Sequence, residues 1–404
     1  MLALGFLLVL PGCGKNKAVY RAYEDAKSAA LSDPGPAPPN WKPDVKVHLS
    51  SKLLDEVLTA VLERRKEITG EVKVPGVQLT PTAVIESLVL SESQACPTCM
   101  AIDLDLSGDM VWNAGLLGSG TVDYTASVAF DSEFDTQKDG DTWTVWAKPR
   151  DVRSVDVRVS GWSGAVKNIA EAPLKKWLDD NVVSKIEPIE VSSFDTAGVP
   201  LRGARVRPVG KGLVVEMLSS APNPGQLGPD DGKPGMGFMA LVATDTVVRF
   251  AAAESFKAGP MDYDLVAEPR GLAVNKETFA LDLRLWKVGG AGWWRDYSIA
   301  GKVGVRNDQV KLKAENVTEG EKSKGAALAD PLFFLGEGIV AREMEKAIKV
   351  SVPNVMKQQA GGLRTVTHLN AVDGDGTVMK VSGTIELVNR MDRSKIKAKG
   401  KGKR

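Results

Sequence analysis

Few residues in this chain have the types and spacing that chemistry needs. Its 404 residues include two histidines and three cysteines. His48 lies at the edge of a proline-rich stretch, and His368 lies in a strand-like run beside Leu369. Neither stands in a motif with the nucleophile or second base of acid–base catalysis. Cys96 and Cys99, in QACPTCM, share a C-x-x-C spacing that serves three chemistries. In an oxidising compartment the two can pair. A thioredoxin-like redox pair would sit at a helix N-terminus that lowers the thiol pKa. Zinc would need two further ligands from a chain poor in histidine. Strand alternation resumes directly after Cys99, so a disulfide stapling a hairpin loop is the favoured reading, ahead of the redox pair and the metal. No G-x-S-x-G elbow occurs, and Gly161-Trp162-Ser163-Gly164 has the wrong spacing. The stretch GLLGSG, residues 115–120, lacks the Lys-Ser/Thr of a phosphate loop and reads as a turn. Asp373 and Asp375 in VDGDGT suggest calcium, but Thr384 stands where the loop's glutamate is needed, and a hairpin turn explains the run better. Gly292-Trp293-Trp294 offers aromatic surface for a membrane or glycan, or one ring packed inward beside a neighbour that covers the sheet edge. These features lead us to expect no enzyme, no metal and no cofactor.

The third cysteine, Cys13, ends the run MLALGFLLVLPGC. Its apolar part is far shorter than the about 20 residues of a membrane-spanning helix and has the length of a signal-peptide core. Leu10 stands three before Cys13 and Gly12 directly before it, and the chain then turns polar. This resembles the lipobox of bacterial lipoproteins. The resemblance implies a signal peptide over residues 1–12, lipidation of Cys13, and a membrane anchor. Gly14 resembles an outer-membrane sorting signal, which implies the cell envelope and an anchor in the outer membrane facing the periplasm. Residues 32–43, SDPGPAPPNWKP, read as an extended, semi-rigid tether, so residues 13–43 form the anchor segment. A short helix is expected within it, over 18–31. Charge is nearly balanced overall, but residues 390–404 hold eight basic side chains against one acid. That tail reads as a disordered, solubilising end, with an anionic membrane surface as its functional alternative. Nucleic acid is not an expected partner of an exported lipoprotein.

Between these ends the hydrophobic period changes in an ordered way. In SSKLLDEVLTAVLERRK, Leu53, Leu54, Val57, Leu58, Val61 and Leu62 fall on one helical stripe. Alternation with a period of two then takes over at Ile102, Leu104 and Leu106, at Val122 to Phe130, and from Trp143 to Val159. A helix is expected from about 164 to 184. The Pro/Gly-rich run 219–235 reads as a linker. The second half repeats the order. ATDTVVRFAAAESF reads as a helix capped by Thr244 or Asp245, strands follow, and a long helix is expected from Asp330-Pro331 toward 355. VRPVGKGLVVEM and NAVDGDGTVMKV align with Gly210/Gly374 and Gly212/Gly376 in register, which suggests an internal duplication. The expected fold class is therefore α+β, with modules at 44–218 and 236–389.

Three stretches carry a family resemblance: SSKLLDEVLTAVLE, LKKWLDDNVVSKIEPIEVSSFDTAGVPLRGARV and AREMEKAIKVSVPNVMKQQAGGLRTVTHLN. Their order resembles bactericidal/permeability-increasing protein and its relatives, the tubular lipid-binding (TULIP) superfamily, over roughly residues 44–388. The resemblance implies two tandem modules, each a curved antiparallel sheet wrapped around a long amphipathic helix. It also implies an apolar groove that takes acyl chains. Leu54, Val57, Leu58 and Val61, with Leu335, Ile339 and Val340, are core residues first and ligand-lining residues second. The expected function is a membrane-anchored lipoprotein that binds lipid or another apolar ligand. The alternative is a closed-core lipoprotein that binds an envelope partner protein.

Overall fold

The structure, a computed structural model, describes residues 16–62, 68–74, 76–140, 142–161, 171–180, 188–195, 201–228, 237–323, 359–360 and 363–388. In chain order these form α1 (Lys17–Ala30), β1 (Val45–Leu49), α2 (Ser51–Leu62), β2 (Ile68–Thr69), β3 (Val72–Val74), β4 (Val77–Glu92), β5 (Cys99–Asn113), β6 (Ser119–Asp139) and β7 (Thr142–Val159). Residues 171–180 are helical and are called α3. Then come β8 (Ile189–Asp195), β9 (Leu201–Val209), β10 (Gly212–Ser219), β11 (Phe238–Ala243), α4 (Thr244–Ala258), β12 (Leu265–Asn275), β13 (Thr278–Lys287), β14 (Trp293–Val305), β15 (Val310–Lys322), β16 (Gln359–Ala360), β17 (Leu363–Gly374) and β18 (Val378–Val388).

Three antiparallel sheets result. The central one has the order β16-β17-β18-β11-β1-β10-β9. A second contains β4 to β8 in sequence, with β2 and β3 on the outer edge of β4, and a third contains β12 to β15. The central order is symmetrical about the β1–β11 pair. Each of these two strands is followed directly by a helix, each has a hairpin on its far side, and the hairpins are β9–β10 and β17–β18. Because β1 and β11 are antiparallel, with Val45 opposite Val242 and Leu49 opposite Phe238, α2 and α4 leave the central sheet at opposite ends. The β4–β8 sheet meets the central sheet where β6 contacts β9 and β8 contacts β16, and the β12–β15 sheet meets it at β17 and β18. Each hairpin turn holds one glycine in a conformation that side-chain-bearing residues rarely adopt, Gly210 (φ 60°) and Gly376 (φ 101°), and these come from different pairs of the sequence alignment, two residues out of its register.

The helix-wrapped arrangement expected under the α+β class is corrected here. The described residues are mostly strand, in curled antiparallel sheets. The cause is a mismatch of length. α2 has 12 residues and spans about 18 Å, while β6 has 21 residues and spans about 70 Å. A helix that short cannot be the axis of such a sheet, so the sheet buries much of its apolar face by curling. The long helix expected between 331 and 355 lies outside the described residues, as do the 390–404 tail and residues 1–15.

Two segments read as peripheral are built into the fold. The proline-rich stretch lies along β9: Arg202 donates to the carbonyls of Gly35 (2.7 Å) and Pro36 (2.6 Å), and the Arg205 guanidinium sits 4.4 Å from the centre of the Trp41 ring. His48, read at the edge of that stretch, is buried in the middle of β1, because β1 is covered on both edges and both faces. The helix expected over 18–31 is α1. It packs Val19 and Tyr23 against Phe256, Val266 and Trp286 of the second half.

Candidate functional site

The candidate site is the interior of the first half and the end at which that interior meets solvent. Ser50 starts α2: its hydroxyl accepts from the Leu53 N–H at 3.3 Å and from the Gly237 N–H at 3.0 Å. That fixes the direction of the helix stripe. Leu54, Val57 and Leu58 then point into the core, and α2 packs against β4, β8 and β10. Facing them are the inward positions of the curled sheet, among them Leu79 and Ala83 of β4, Leu104 and Leu106 of β5, and Val128 of β6, joined by Leu174 and Leu178 of α3. Leu54 is 1% exposed and Leu58 is 0% exposed. A side chain lining an open tube would be reachable by water, so the helix and sheet are in close contact at these two residues. Of the other candidate lining residues, the Val61 side chain, Leu335, Ile339 and Val340 lie outside the described residues.

At the outer end of the first half two turns lie side by side, since Gln78 pairs with Asn113. One joins β3 to β4 and the other joins β5 to β6. The second is closed by Ala114 N–H to the Gly118 carbonyl (2.9 Å) and by Gly115 N–H to Asn113 Oδ1 (2.9 Å). It carries Leu116 fully exposed. Gly120 leaves room for the Trp112 ring, since a Cβ there would lie 2.8 Å from the indole nitrogen. Strands with one wet face normally alternate apolar in and polar out. Here Met110 points inward at 0% exposure while its neighbour Val111 points outward at 48%. Val84 adds a further exposed apolar side chain on β4. The sequence carries a corresponding signal. Residues 74–85 and 110–122 contain no Asp, Glu, Lys or Arg, in a chain that is 25% charged.

The titratable groups serve the fold. Asp44 is fully buried and accepts from the Ser219 N–H (2.8 Å), the Ser219 hydroxyl and the Thr246 hydroxyl (3.0 Å). Burial pushes its carboxyl above the ordinary value, and these hydrogen bonds only partly offset that. Lys46, also buried, donates to the Gly228 carbonyl at 2.8 Å beside Glu216. Tyr124 is raised by burial and donates to the Thr82 carbonyl. Cys96 and Cys99 are joined as a disulfide in the β4–β5 loop. Asp375 Oδ1 accepts from the N–H groups of Thr377 and Val378, which makes it a turn-forming residue. Trp293 is buried, and Trp294 lies under the Arg284 guanidinium at 3.7 Å. His368 is half exposed between Asp308 (3.3 Å) and Glu386 (3.6 Å). Among the described residues no group of three or more His, Cys, Asp or Glu is placed to hold a metal, and no helix is long and apolar enough to cross a membrane. The structure brings Leu54, Val57 and Leu58 together in one core, and Cys13 lies outside the described residues.

No family model matches the chain, and no curated protein matches it. Among solved structures it is similar to a lipopolysaccharide binding protein, at 13% identity over 86% of this chain and 100% of that one, with a TM-score of 0.41. It is also similar to P47 from Clostridium botulinum A2, at 10% identity over 85% and 97%, with a TM-score of 0.41. A third is P47 of Clostridium botulinum E1, at 7% identity over 86% and 100%, with a TM-score of 0.42. No functional inference rests on likeness at these scores.

Proposed function

We propose that this protein is a lipid-anchored protein of the bacterial cell envelope that binds lipid or another apolar ligand through the first half. The anchor is Cys13, in the outer membrane and facing the periplasm, and the protein carries out no covalent chemistry. The observation that supports the binding reading is the apolar surface of β4, β5 and the β5–β6 turn at the outer end, where Leu116, Val111 and Val84 are exposed and the neighbouring inward positions include Leu79, Met110 and Val122. Exposed apolar surface in contact with water is unfavourable by roughly 25 cal/mol per Å², and an apolar occupant recovers that. Acyl chains would enter between α2 and the sheet by separating the contacts that Leu54 and Leu58 make. A second reading is favoured by the burial of those same leucines: the core stays closed, and the apolar end binds an envelope partner protein.

Native mass spectrometry of the chain, purified without detergent after Cys13→Ser, separates the two. Bound phospholipid masses, reduced several-fold by Leu116→Asp, are expected. A bare protein mass that does not change after incubation with envelope lipids would sink the lipid reading in favour of the partner protein.

A further inference from the structure

The way α1 is docked fixes where an anchor at Cys13 must emerge. Asn16 donates its N–H to the Ala291 carbonyl at 2.9 Å, and its side chain caps α1 by accepting from the Val19 N–H. Ala291 lies in the turn between β13 and β14, at the end of the second half farthest from the central sheet. From there α1 runs back along the second half, held by Tyr23 against Phe256 and Trp286. Cys13 is three residues from Asn16, which limits its distance to about 10 Å. A lipid group on that cysteine therefore brings the β13–β14 turn to the bilayer surface.

A second feature marks the same end. Tyr263 is 52% exposed and sits at φ 63°, followed by Asp264 at φ 56°. Left-handed conformations in successive residues other than glycine are strained and need support. The support comes from the β13–β14 turn: the Val288 N–H donates to the Asp264 carbonyl at 2.9 Å. Gly289 leaves room for the Asp264 carboxylate, which would lie 2.0 Å from a Cβ there. The fold thus holds an exposed tyrosine near the point where the chain enters α1 at Asn16. Tyrosine is enriched where apolar and wet surroundings meet, with the ring in the headgroup layer and the hydroxyl in water.

The geometry points to this end of the second half, the Tyr263 turn with the 288–292 turn, as a surface that lies on the bilayer carrying the Cys13 anchor. The Tyr263 ring sits at headgroup level, and the first half with its apolar outer end is held away from that bilayer. This rests on the lipoprotein reading above. The test uses the full chain purified from bacterial membranes and reconstituted into phosphatidylcholine/phosphatidylglycerol vesicles. Variants Ala291→Cys and Gln309→Cys, at exposed turn positions at opposite ends of β14, carry an environment-sensitive fluorophore on the introduced thiol, with Cys96 and Cys99 kept oxidised as their disulfide and Cys13 acylated. The two labels are about 40 Å apart along a 13-residue strand. Quenching by headgroup spin-labelled lipid should be at least three-fold stronger at 291 than at 309, and Tyr263→Ser should reduce that difference. Equal or reversed quenching in a chain whose intact mass shows acylated Cys13 overturns the orientation and leaves the anchor standing. An intact mass without acyl groups overturns the lipoprotein reading and the orientation with it.

Discussion

Asp44 is the residue on which both halves converge. Its partners Ser219 and Thr246 lie 175 and 202 residues further along the chain. Its carboxyl titrates above the ordinary range because burial penalises the charged form. The folded state thus holds this proton more tightly than the unfolded chain does. Stability from this group is present at acidic pH and is lost as pH rises from the ordinary carboxylate range through the higher folded value. Asp44→Asn keeps the oxygen that accepts from the Ser219 N–H and removes the charge, so the variant should gain on the parent as pH is raised through that window. Asp44→Ala leaves the Ser219 N–H without its acceptor and should cost about 1–3 kcal/mol at every pH. Urea midpoints for the three proteins across pH check both outcomes, and a parent-minus-Asn difference that is flat with pH would count against the raised carboxyl. In the sequence Asp44 stands at the start of the first module, directly after the tether, in KPDVKVHL. Nothing local distinguishes it, because its burial comes from partners that fold onto it from remote positions.

At the scale of elements, the sequence was readable where periodicity is local. The α2 stripe and the alternating runs around Leu104 and Val128 appear where they were expected, since helical and strand periods are written within a few residues. α4 begins at Thr244, but neither Thr244 nor Asp245 occupies the cap position. Ala243 does, without a side-chain hydrogen bond, while the Thr244 hydroxyl donates to the Thr377 carbonyl of the neighbouring hairpin turn. A tertiary partner displaced the local capping signal. The docking of α1 was illegible for the same reason, as its stripe does not say which surface it meets. Tyr23, 5% exposed, packs its ring 5.7 Å from that of Phe256 and 5.8 Å from that of Trp286, measured between centres. Tyr23→Ala should cost about 3 kcal/mol, in the range for deleting a buried aromatic ring. The loss should be local: amide hydrogens of α1 should exchange faster by two orders of magnitude or more, while those of β1 and β10 keep their protection. Uniform loss of protection across the central sheet would show that α1 is part of the global folding unit.

At the scale of the molecule, the linker expected over 219–235 suggested modules that stand side by side. The structure instead threads both halves through one sheet. β1 from the first half pairs with β11 from the second from Val45/Val242 to Leu49/Phe238, and the Ser50 N–H donates to the Gly237 carbonyl at 2.9 Å. The Ala243 N–H donates to the Asp44 carbonyl at 2.9 Å, and α1 reaches across to the second half. The two glycine-containing hairpins were legible in the sequence, because a hairpin turn leaves a local trace, although the turn glycines Gly210 and Gly376 fall two residues out of the register that the sequence suggested. The pairing of the copies could not, because β-strand register is set by partners and not by spacing in the chain. A connection cut between 228 and 237 should therefore leave the protein in one piece. With a protease site inserted there and cleaved, the two fragments should co-elute in gel filtration at the mass of the whole chain. Separated, each would expose an unpaired, apolar strand edge, β1 or β11, which is a template for aggregation. Val47 is 1% exposed in β1, so Val47→Asp places a carboxylate in the apolar core at the seam, and the nicked variant should come apart or precipitate. Nicked parent fragments that separate without denaturant would mean that the halves are independent domains and that the β1–β11 pair contributes little to holding them together.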